Sequence, residues 1–159
     1  MRDGELYSTD TIDWLLAGYP AVRFGVMRDL LDADAPSLAH EQSLIATSGW
    51  GARLLEKQDA MGTWSGSLYS PKFTSTHFTL LTLRHLGLSQ DHPGARKAAQ
   101  VLFDTGVRHD GGINFGGRPD SPSETCISGM SLSLYSYFRL VDPRVTALAE
   151  YLLSVQMPD

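Results

Sequence analysis

The sequence predicts an all-α protein built as an array of helical hairpins, and three observations carry that prediction. Related strings recur at an almost constant spacing. Met61-Gly62-Thr63-Trp64 and Asp110-Gly111-Gly112-Ile113 lie 49 residues apart, as do Thr76-His77-Phe78-Thr79 and Thr125-Cys126-Ile127-Ser128. Segments led by Pro93 and Pro143, 50 residues apart, carry Ala, Leu and Val at helical spacing. Strand-type alternation is nowhere sustained. A fixed period with helical patterning implies stacked two-helix units, none able to bury its apolar face alone.

The elements follow in chain order. Thr11 is placed to cap a helix through Gly18, and Pro20 to start another through Leu31, which "DADAPS" breaks. Ala39–Thr47 continues as helix. Ser48-Gly49-Trp50-Gly51 interrupts it before Ala52–Gln58. Ser70-Pro71 precedes a helix over Thr74–Leu86, closed by Gly87 in the C′ position. Pro93–Thr105 and Pro143–Val155 begin with proline at N1, where its missing N–H costs nothing. Ser121-Pro122-Ser123-Glu124 has the form of a capping box opening a helix over residues 122–140, with Ile127, Met130, Leu134 and Phe138 on one face. "GTWSGSLYSP" and "DGGINFGGRPDSP" are loops by composition. The whole is expected to be one domain, 1–159, with irregular helices over 1–47 and repeats over 48–159.

Composition narrows the function. A net charge of −5 opposes a nucleic-acid footprint, which needs a basic face. The single cysteine, Cys126, permits no intrachain disulfide, so a reducing compartment and a cytoplasmic location are expected. The polar start lacks the apolar core of a signal peptide, and no apolar run approaches the roughly 20 residues that span a bilayer.

"GARLLEKQDAMGTW" resembles the QW motif of the terpenoid cyclases, with Gln58 and Trp64 at the motif positions. "DGGINF" resembles a second copy with Ile113 in place of the tryptophan, and "LLSVQMPD" the front half of a third. "TSTHFTLLTLRHLGL" and "SETCISGMSLSLYSYF" are similar to inner helices of the α/α toroid shared by squalene–hopene cyclases and protein prenyltransferase β subunits. The resemblance implies a partial α/α toroid in which the glutamine caps the next helix and the tryptophan stacks on its neighbour. A closed toroid would take roughly six hairpins, about 250–300 residues. A truncated member is therefore expected, either a homo-oligomer or part of a longer chain.

The same resemblance implies an isoprenoid-handling protein with an apolar substrate among its inner helices. Pocket candidates are Phe73, His77, Cys126 and Tyr135. Prenyltransferases hold zinc with an Asp-x-Cys pair and a histidine; Glu124-x-Cys126 and His77 match that pattern with Glu for Asp. Glu124 also has a sufficient role in the capping box, and a cysteine on a helix suits a packed core. Neither the Asp-x-Asp-Asp acid of the cyclases nor the Asp-Asp-x-x-Asp diphosphate site occurs; Asp29, Asp32 and Asp34 read as a solvated loop. Cys126, Gly129, Ser133 and Ser136 form a stripe of small residues that either lets another helix approach closely, the favoured reading, or leaves volume for a ligand. The alternative function is a non-catalytic helical-repeat interaction or dimerisation module, marked by an exposed apolar patch without convergent polar groups.

Overall fold

The structure, a computed structural model, describes residues 8–116, 118 and 120–157. Expectations placed on the start of the chain and on Pro158-Asp159 lie outside the described residues. Within them the fold is all-helical, with eight α-helices and two isolated β-bridges. These are α1 (Thr9–Leu16), α2 (Pro20–Asp29), α3 (Ala35–Leu44), α4 (Gly49–Leu55), α5 (Thr76–His85), α6 (Pro93–Gly106), α7 (Thr125–Tyr137) and α8 (Pro143–Ser154). The described residues fall into two compact units. One comprises residues up to Glu56 with His85–Ser89; the other comprises Lys57–Arg84 and Gln90 onward. The first boundary falls after α4, not at residue 47.

In the first unit, Ser8 rather than Thr11 caps α1: its hydroxyl accepts from the Thr11 N–H at 3.3 Å. Proline starts α2, and Asp34 caps α3 through the Ser37 N–H at 2.7 Å. α2 packs on α1, α3 and α4. Phe24, Val26, Ile45 and Leu88 are buried, whereas α1 contributes no buried residue. Gly87 has φ +83°, and a Cβ there would lie 2.6 Å from the Phe24 ring. Only glycine can close α5 and admit that ring. Arg23 is anchored to Glu41 at 2.6 Å and donates to the Gly18 carbonyl, also at 2.6 Å.

In the second unit α7 packs on both α6 and α8. The core is aliphatic and aromatic: Leu80, Leu83, Leu102, Phe103, Ile127, Leu134, Tyr135 and Phe138 are all buried. His92 caps α6 and Asp142 caps α8, each followed by the N1 proline expected.

The 49-residue period survives in the backbone. In the first turn the Asp59 N–H donates to the Thr63 carbonyl at 2.9 Å, and the Gly62 N–H to the Asp59 carbonyl at 3.0 Å. Exactly one period on, Arg108 donates to Gly112 at 2.9 Å and Gly111 to Arg108 at 3.0 Å. Both turn glycines are left-handed, with φ +90° and +85°. Gln58 lies in the first turn; its side-chain N–H groups donate to the Gly62 carbonyl at 3.0 Å and the Gly94 carbonyl at 2.9 Å. One side chain thereby ties the turn to the start of α6. Trp64 is buried at 2% exposure, and Ile113, its counterpart, is fully buried.

The capping box at residues 121–124 does not form. Glu124 is the N-cap of α7 but makes no side-chain cap bond. The Ser121 hydroxyl instead accepts from the Arg118 N–H at 2.9 Å, closing the preceding turn. Ser123 is drawn away by Asp110, which takes both its N–H and its hydroxyl.

Candidate functional site

The residues predicted to share a site are separated by a slip of one helical turn. In the first copy the Trp64 N–H donates to the Thr76 hydroxyl at 3.0 Å. In the second, the Ile113 N–H donates at 2.9 Å to Ser128, not to Thr125. The hydroxyls performing the same task are thus 52 residues apart, three more than the period. The structural counterpart of His77 is accordingly Gly129. Cys126 lies a turn earlier and is exposed, as is Glu124, while His77 is completely buried.

The zinc set of His77, Glu124 and Cys126 is therefore not assembled. Among the described residues no group of three His, Cys, Asp or Glu side chains is placed to hold a metal. His77 Nε2 faces the Ser131 hydroxyl at 3.3 Å. Its ring packs against those of Tyr69, Phe78 and Phe115 at centroid distances of 5.4 to 5.5 Å. Burial raises the Tyr69 phenol above its usual range, with smaller contributions from Cys126 and Glu124.

The pocket candidates divide in the same way. Phe73 is 80% exposed, in a left-handed conformation with φ +73°. Tyr135 is completely buried and packs against Phe103 with the rings tilted by 58° and their centroids 4.4 Å apart. The small-residue stripe also faces the wrong way for close packing. Cys126 and Ser136 are exposed, and a Cβ on Gly129 would meet nothing within 4 Å. The small residues that do pack are Ser128 and Ser131, both fully buried.

What sequence reasoning missed is the polar centre of this unit. Ser131 faces His77, Tyr135 follows four residues later on the same helix, and all three are fully buried, with no hydrogen-bond partner for the Tyr135 phenol among the described residues. Burial lowers the His77 pKa to about 4, so the imidazole is neutral at pH 7. Burial likewise raises the Tyr135 phenol. A serine hydroxyl facing an imidazole is the geometry of a nucleophile and its base. Here both groups are fully buried, so the pair belongs to the core and not to an open site. His77 Nδ1 has no hydrogen-bond partner among the described residues.

An open apolar cleft of about 270 Å³ lies instead in the first unit, lined by Trp14, Leu15, Ala17, Gly18, Tyr19 and Val22. Trp14 is 74% exposed, and Tyr19 meets the half-exposed Trp50 edge-on at 6.5 Å. Tyr19 is held by Gly49, whose φ is +71° and whose missing Cβ would sit 3.0 Å from the ring. The sequence signal was available: two large aromatics, Trp14 and Tyr19, beside helix breaks in the segment that does not repeat, with Trp50 just beyond it. No helix among the described residues is long and apolar enough to cross a membrane. No protein-family model, no curated protein and no solved structure matches the chain, so the terpenoid-cyclase resemblance rests on the quoted residues alone.

Proposed function

We propose that this chain is a non-catalytic helical-repeat interaction module that binds a partner protein through the cleft of its first unit. The observation that carries the reading is the cleft itself. Its lining holds no ionisable side chain except the Tyr19 phenol, and a large indole stands at its edge in water. Exposed apolar surface of this kind is a mark of interaction sites. At about 270 Å³ it falls below the roughly 300–1,000 Å³ of small-molecule pockets and suits one anchoring side chain.

The isoprenoid reading calls for an open pocket bordered by His77 and Cys126. The complete burial of His77 and the exposure of Cys126 favour the binding module. The test sets Trp14→Ser against the native chain. Because Trp14 is exposed, the melting temperature should hold, while a partner retained by the immobilised native protein is lost. Equal retention by both proteins, or saturable farnesyl diphosphate binding by calorimetry that His77→Gln abolishes, would overturn the reading.

A further inference from the structure

We infer that the partner presents a bulky apolar side chain flanked by lysine or arginine, carried on an amphipathic segment. This rests on the binding reading and adds the partner's charge. The lining is apolar, so the anchoring side chain is apolar. The charges carried by α1 itself are all negative. Residues 8–22 contain Asp10 and Asp13 and no lysine or arginine, and both aspartates are exposed.

Helical spacing puts these charges beside the cleft. Asp10 lies four residues before Trp14 and shares its face of α1; Asp13 lies four before Ala17, which also lines the cleft. Nearby cations do not cancel them. Arg23 is committed to Glu41 and to the Gly18 carbonyl. Arg53 is engaged over the Trp50 ring at 5.5 Å, and neither residue lines the cleft. Basic groups on the partner would thus gain from the α1 side. A second copy docking through the same face would set Asp10 and Asp13 against their own kind in a chain already at −5.

The experiment uses the whole chain and two labelled synthetic peptides of equal length, one amphipathic with leucine and lysine, the other with leucine and glutamate. Anisotropy is read at low and high salt. The lysine peptide should bind and the glutamate peptide should not. Trp14→Ser should weaken binding about tenfold or more, the effect of losing a central anchor. Asp10→Asn with Asp13→Asn should weaken it several-fold and flatten its salt dependence. Loss with Trp14→Ser but indifference to the aspartate changes and to peptide charge would overturn the inference and leave the binding module standing. Indifference to Trp14→Ser would overturn both. A dimer in sedimentation that Trp14→Ser dissolves would replace the peptide with a second copy.

Discussion

His77 shows how burial turns an ordinary side chain into a pH-sensitive one. Its pKa of about 4 in the folded chain lies below the ordinary value of 6.5, so the unfolded chain binds the proton more readily. The resulting stability is fully present above pH 6.5 and is lost as pH falls towards 4, at about 1.4 kcal/mol per pH unit and up to about 3 kcal/mol in all. His92, also lowered by burial, adds to the same window. Asp59, Asp104 and Asp142, held low by their hydrogen bonds, release their share only below the usual carboxylate range. The melting temperature should therefore fall between pH 7 and pH 5, and His77→Gln, which keeps a partner for Ser131 but cannot titrate, should fall less. An equal drop in the two proteins would place the acid sensitivity elsewhere. At this scale the sequence made His77 conspicuous but gave no sign of Ser131, because a serine becomes a partner only when another helix brings it within reach.

At the scale of the element, the repeated turn is the unit that the sequence states most clearly. Glycine at 62 and 111 is required by left-handed backbone, and the same pair of hydrogen bonds follows in both copies. Gln58 then fastens the first turn to α6 through two carbonyls. Gln58→Ala should cost about 1–2 kcal/mol, since both acceptors lose their donor in a partly buried setting. Gln58→Glu should cost more at neutral pH, where a carboxylate faces two carbonyl oxygens, and less in acid, where the protonated group can donate. Urea denaturation at two pH values measures both, and a Glu variant as stable as the native chain would sink the account. Proline-led helix starts were equally legible at Pro20, Pro93 and Pro143. The start of α7 was not, because Asp110 competes for Ser123 from 13 residues away.

For the whole molecule, burial is unevenly shared. α6 and α7 bury several side chains each, whereas α1 buries none. Local opening free energy follows buried apolar contacts, so the helices should differ in hydrogen exchange. Amides of α1 should exchange fastest and those of α6 and α7 slowest; uniform protection across them would contradict this. The proposed binding surface lies on the element with the least burial. A segment held in this way can adjust to a partner at low cost, and its exposed tryptophan gives an anchor most of its burial still to gain.

The sequence by itself determined the helical class, the period, the glycine turns and the proline-led helix starts, because each depends on the residues of its own short segment. The apolar face of α7 was legible as well, since Ile127, Leu134 and Phe138 are buried as expected. Tertiary structure alone decided the register of that helix against the first copy. Three residues of slip between Thr76 and Ser128 put Gly129 in place of Cys126 at the position equivalent to His77, with Cys126 left in solvent and Ser131 facing His77. It also decided that Trp64 is core while Trp14 stands in water. Periodicity fixes how side chains are spaced around a helix, but only the neighbours that pack against it determine which of them lose water.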